Sequence, residues 1–160
     1  MGQKVLLNQM PIAIKDSKID ISSEETTKEL AKDLTHYLKG GEIVYLYGEM
    51  GVGKTTFVRH LINQFQKNKK LHITEVTSPT FNLLNEYDIN DLVIKHYDLF
   101  RLKDESEIKN LDLFENNQNT ITLIEWPQLI SKNKSIKTID LIFSYENELN
   151  NRSVKIDGLN

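Results

Sequence analysis

The chain contains no cysteine. That excludes a disulfide scaffold, a thiolate zinc site, an iron–sulfur cluster and thiol catalysis. Arginine is scarce as well: Arg59, Arg101 and Arg152 are the only three. Enzymes that pass phosphate between two small molecules use several arginine forks to clamp both phosphate chains, so so few count against such a kinase without excluding it. No apolar run approaches the ~18 residues of a membrane span. The opening Met1-Gly2-Gln3-Lys4-Val5-Leu6 lacks the apolar core of a signal peptide, so a soluble cytoplasmic protein is expected. An excess of positive charge is missing too: 20 basic against 23 acidic residues give −3. Proteins that grip duplex nucleic acid are usually basic, so any nucleic acid is expected to be met through a local patch or a partner.

What is present is ordinary for one globular domain: 160 residues, 39% hydrophobic and 27% charged. Residues 1–20 carry little pattern and read as a leader or edge segment, with residues 21–160 as a single domain. Ser22-Ser23-Glu24-Glu25 offers a capping box, with Ser three residues before Glu. Leu30, Ala31, Leu34 and Leu38 follow at helical spacing, so the pattern predicts a helix over about 24–38, ended by Gly40-Gly41. Ile43 to Tyr47 is a buried strand bounded by glycines, and a helix is predicted over about 54–66. Strands dominate afterwards: Ile73–Val76, a hairpin from Phe81–Tyr87 and Leu92–Tyr97, Thr120–Trp126, and a closing hairpin from Ile136–Tyr145 and Arg152–Ile156. Asp104–Leu111 reads as a short helix.

Between the first strand and the second helix lies Gly48-Glu49-Met50-Gly51-Val52-Gly53-Lys54-Thr55-Thr56, which fits G-x-x-x-x-G-K-[ST] at every position. The glycines let successive N–H groups converge on phosphate, and the helix start adds its positive dipole end. Lys54 suits the terminal phosphates and the Thr55 hydroxyl suits Mg²⁺. A strand-to-helix setting is the one this chemistry requires, so Glu49 through Thr56 are the candidate nucleotide-binding residues, for a nucleotide carried with Mg²⁺.

Ile121-Thr122-Leu123-Ile124-Glu125 is an apolar strand ending in an acid. A parallel neighbour of the phosphate-loop strand would bring Glu125 to the Mg²⁺ side. Asp98, another strand-end acid, suits the orientation of water or of a metal-bound water, and equally a turn. Thr80, in Ser78-Pro79-Thr80, could offer its hydroxyl to the γ-phosphate as part of a switch, or stand in a plain proline turn. His96 is expected to be packed rather than catalytic. Alternation places Trp126 on the face opposite Glu125. The Ser23–Thr27 region and Arg152 are candidates for the base side. A GTPase is disfavoured: Asp-x-x-Gly is absent, and Asn133-Lys134-Ser135-Ile136 lacks the Asp that would read guanine.

Taken together, Gly48–Thr56, Ser78-Pro79-Thr80-Phe81, His96-Tyr97-Asp98-Leu99-Phe100-Arg101-Leu102 and Ile124-Glu125-Trp126-Pro127 occur in the order in which the TsaE (YjeE) family carries them. The resemblance spans about 22–130. Phe100 departs from the tyrosine frequent there but stays aromatic. The resemblance implies a P-loop NTPase-type mixed sheet with a parallel core, antiparallel additions and flanking helices. It also implies an ATPase required for threonylcarbamoyl modification of adenosine 37 in tRNAs reading ANN codons. Such an ATPase works with the TsaB–TsaD complex, meets tRNA through it, hydrolyses ATP weakly alone and does not transfer the threonylcarbamoyl group. Carried over by position, Lys54 holds phosphate, Thr55 and Glu125 hold Mg²⁺, and Thr80 and Asp98 belong to the switch and catalytic region. A metabolite kinase and a nucleotide-dependent binding switch without useful turnover are the competing readings.

Overall fold

A computed structural model describes residues 18–79, 81–115, 118–132, 136–148 and 150–159. Thr80, Asn133 to Ser135 and most of the expected leader lie outside the described residues. Seven strands form one sheet: β1 (Lys18–Asp20), β2 (Ile43–Tyr47), β3 (Leu84–Ile89), β4 (Leu92–Asp98), β5 (Thr120–Glu125), β6 (Thr138–Tyr145) and β7 (Arg152–Asp157). Their spatial order is β1-β7-β6-β2-β5-β4-β3. The four central strands, β6-β2-β5-β4, run parallel; β1, β7 and β3 are added antiparallel. This is the mixed sheet the resemblance implied. The end of the expected leader, Lys18–Asp20, is the edge strand β1.

The burial of each strand follows from its neighbours. Every residue of β5 is buried, as a central parallel strand covered on both faces must be. On one face Val44, Leu46, Ile121 and Leu123 pack under two helices, α1 (Glu24–Leu34) and α2 (Lys54–Asn68), which contribute Leu30, Leu34, Phe57 and Leu61. On the other face Ile43, Tyr45, Tyr97 and Ile124 pack under the segment carrying Leu99 and Leu113. That segment holds the expected short helix as α3 (Glu105–Ile108) and a 3₁₀ turn (Lys109–Leu111), opened by an Asp104–Glu107 capping box.

Some expectations need correction. The cap of α1 is Ser23, whose Oγ accepts from Thr26 N at 3.2 Å, so the Ser22–Glu25 box is not made. Ser22 instead joins the far sheet edge, where its Oγ accepts from Arg152 N at 3.0 Å. Second, Ile73–Val76 is not a strand. Its β-branched residues find no neighbouring strand, and α2 satisfies the backbone instead. Asn63 Nδ2 donates to Thr74 O at 3.1 Å, and Thr74 N donates to Gln66 Oε1 at 3.3 Å. Helix α1 stops at Leu34, short of the expected Leu38, although Leu38 remains buried. The turn after it is drawn tight by Glu42, whose carboxylate accepts from Lys39 N and Gly40 N at 3.0 and 2.9 Å.

Candidate nucleotide site

Strand β2 ends in the middle of the parallel core, and residues 48–53 carry the chain into α2. The loop is built for close backbone approach. A Cβ on Gly48 (φ +145°) would lie 2.9 Å from Phe143 Cβ, Phe143 O and Val52 Cγ1. Val52 is fully buried in the helix-side core and anchors the loop. From β6, Tyr145 Oη donates to Met50 O at 3.3 Å. Gly53 caps α2 from the left-handed region, with no side-chain bond to the first turn and no acid within it. The helix therefore presents N–H groups and a positive dipole end that no acid of its own first turn offsets, which is the electrostatic basis of an anion site.

Lys54 is 4% exposed. Its Nζ donates to Gly48 O and, at 3.2 Å, to Glu49 O, and it sits 3.7 Å from the centre of the Trp126 ring. Burial lowers the Lys54 pKa, while the Glu125 and Asp98 charges act in the opposite direction. Thr55 Oγ1 donates to Glu125 Oε1 and Oε2 at 3.0 and 3.2 Å. Strand β5 is the parallel neighbour of β2 that the sequence pattern called for, and it delivers Glu125 beside the loop. Asp98 stands opposite Glu125 in the β4–β5 register. Its Oδ2 accepts from Ser78 Oγ at 2.6 Å and its Oδ1 from Phe100 N at 3.0 Å. The 71–79 segment is thus tied to the strand end that carries Asp98.

These groups open on one cleft of about 320 Å³, lined among others by Met50, Gly51, Gly53, Lys54, Thr55 and Thr56, with Asp98 and Glu125 across from them. Of the other loop candidates, Glu49 is exposed and contributes its carbonyl to Lys54, and Val52 serves as the buried anchor. His96 is packed, as expected, but it also touches Glu125: Nε2 and Oε2 are 2.6 Å apart. Trp126 is a correction. Alternation along β5 fails at its end because Trp126 has φ +59°, which turns the indole back into the cleft over Lys54 and against Phe100, with ring centroids 4.8 Å apart. Arg152 lines the same cleft from β7. Sequence reasoning left Ser78 without a role; its place two residues before Thr80 was the only available hint.

The donor set suits a hard cation carried in by a nucleotide. Thr55 and Glu125 supply one hydroxyl and one carboxylate, both oxygen donors of the kind Mg²⁺ takes. Among the described residues no three His, Asp or Glu side chains converge into a metal-holding group. No helix among the described residues is long and apolar enough to cross a membrane.

The family model described as "Threonylcarbamoyl adenosine biosynthesis protein TsaE" matches residues 21–154. Over 115 residues the chain is 44% identical to the tRNA threonylcarbamoyladenosine biosynthesis protein TsaE of Rickettsia bellii, covering 72% of this chain and 77% of that protein. It is also 44% identical over 110 residues to the protein of the same name from Rickettsia conorii. That match covers 69% of this chain and 61% of the relative's length. In fold it resembles the crystal structure of Bacillus subtilis YdiB, with a TM-score of 0.65 at 21% identity over 89% of this chain and 85% of that one.

Proposed function

Because this chain belongs to the TsaE family of threonylcarbamoyladenosine biosynthesis proteins, we propose that it is the ATPase of that tRNA modification. In this reading it binds ATP with Mg²⁺ in the cleft above Gly48–Thr56 and works with a TsaB–TsaD complex in the cytoplasm. The tRNAs concerned read ANN codons and are met through that complex. Residues 21–160 act as one domain. The observation that carries the proposal is the pairing of Thr55 Oγ1 with Glu125 at 3.0 Å, in the cleft that also holds the Lys54 ammonium.

Each residue's task follows from its chemistry. Lys54 leaves the Gly48 and Glu49 carbonyls and neutralises the terminal phosphates, where charge grows during transfer. Thr55 and Glu125 would hold Mg²⁺, which when bound offsets phosphate charge. The free N–H groups at the start of α2 cradle the phosphate chain. Asp98 orients the attacking water once Ser78 releases it. Thr80, from the family pattern, covers the γ-phosphate. The threonylcarbamoyl group is not handled here: hydrolysis resets the partner complex between cycles.

Phosphate release measured with and without the TsaB–TsaD complex tests this. Slow turnover alone that rises with the complex is expected, and Lys54→Ala should lower it at least ~10²-fold. Stoichiometric passage of labelled γ-phosphate to a small acceptor would instead make the protein a kinase.

A further inference from the structure

His96 lies at the middle of the sheet, 0% exposed, on the helix-side face of β4. In the β4–β5 register it stands opposite Leu123, one pleat before the Asp98–Glu125 pair, so its ring reaches diagonally to Glu125. A carboxylate only accepts, so Nε2 carries the proton and donates to Oε2 across 2.6 Å. In the neutral ring the other nitrogen, Nδ1, is then a bare acceptor. It is buried without a partner.

That orphan nitrogen is informative. An unsatisfied buried polar atom costs roughly 1–3 kcal/mol, and a leucine at this position would avoid the cost. Stability alone therefore does not account for an imidazole here. Glu125, 2% exposed, needs a donor. Thr55 supplies one, donating to both carboxylate oxygens, and in the reading above its oxygen would serve the cation as well. Asp98 is level with Glu125 but cannot serve, because a carboxylate only accepts; its own oxygens accept from Ser78 Oγ and Phe100 N. His96 is the second donor, and its 2.6 Å contact with Oε2 is shorter than either bond from Thr55.

We propose that His96 is a positioning residue for the Mg²⁺ site: its Nε2–H fixes the rotamer of Glu125 so that the opposite oxygen, Oε1, stays directed at Thr55 and the cation. This rests on the reading of Glu125 as a magnesium ligand. Partners of this kind behind a metal ligand are worth about 10–100-fold in metal affinity.

The test is ADP retention by the full chain in equilibrium dialysis as Mg²⁺ is raised from zero, for wild type, His96→Leu, His96→Gln and Glu125→Gln. His96→Leu should raise the Mg²⁺ concentration for half-retention ~10–100-fold, while retention in chelator stays at the wild-type level. His96→Gln should return the midpoint to within a few-fold, because its amide nitrogen can replace Nε2 as donor. Should leucine prevent folding, His96→Asn, whose amide is too short to reach Glu125, takes its place. A wild-type midpoint in His96→Leu or His96→Asn overturns the proposal, provided Glu125→Gln shifts it. Equal shifts in the Gln variant and its non-bonding counterpart overturn it as well. A wild-type midpoint in Glu125→Gln overturns the magnesium reading itself.

Discussion

Replacing Lys54 with alanine should separate ligand binding from folding. In the free protein the ammonium makes two bonds to loop carbonyls and one cation–π contact with Trp126. A cation–π contact of a buried ammonium is worth roughly 1–2 kcal/mol. Against it stands the cost of burying the charge, the same effect that lowers the lysine's pKa. These oppose each other, and the free variant should lie within about 1 kcal/mol of wild type. Binding is different, because losing a charged partner of the phosphates costs ~2–5 kcal/mol. Taking ~2.7 kcal/mol, the affinity falls about 100-fold. At a MgATP concentration of ~100 Kd the wild type gains about 2.7 kcal/mol of stability, and the variant about 0.4. For a domain of this size 1 kcal/mol moves Tm by roughly 2–4 °C. MgATP should therefore raise the wild-type Tm by about 5–11 °C and that of Lys54→Ala by no more than ~2 °C. Thermal unfolding followed by circular dichroism, with and without nucleotide, reads both numbers. Equal nucleotide shifts in the two proteins would refute the phosphate role of Lys54.

Other predictions address the loop, the second core and the indole. Gly48→Ala forces a Cβ against Phe143 and Val52 at φ +145°, so it should cost at least ~2 kcal/mol in urea unfolding and abolish ADP retention. Tyr45→Phe should be neutral or stabilising by up to about 1 kcal/mol, since the Tyr45 hydroxyl is buried without a partner; a loss above that would reveal a partner in solution. Burial pushes the Tyr45 phenol up to about 12, so its ionisation takes nothing from stability below pH ~10 and lowers it between about 10 and 12 in the wild type. In Tyr45→Phe that part of the alkaline loss should vanish from urea midpoints measured across the range. Trp126 emission should change saturably with MgADP, because Lys54 leaves the ring, and Lys54→Ala should show altered emission before any nucleotide is added. Identical resting spectra would place the ammonium away from the indole.

Elements that depend on local signals were legible in the sequence. Ile43–Tyr47, the glycine loop and α2 form a contiguous strand, turn and helix, and the sequence pattern specified all three, down to the parallel strand needed to bring Glu125 alongside. What escaped was set by tertiary contacts. Ile73–Val76 had strand composition but no strand to pair with, and Thr74 is held by side chains of α2. Trp126 broke alternation through a single backbone angle, which periodicity does not register. The His96–Glu125 contact was half visible: His96 and Asp98, two apart, share a strand face, but which acid the ring meets depends on the β4–β5 register. Arg152 reaches the cleft only because β7 folds back beside β6.

The order of the strands also governs when the site can exist during refolding. Strand β2 pairs with β5 and β6, both far along the chain, and Thr55 meets Glu125 across 70 residues of sequence. Contacts of such separation form late, because the closure entropy of the intervening chain must be overcome first. Helix α2 can appear early from its own local contacts, while its acid partner is still unattached. Nucleotide capture should therefore lag the recovery of helical signal in a refolding experiment, and it marks the docking of β5 against β2 rather than the formation of the glycine loop.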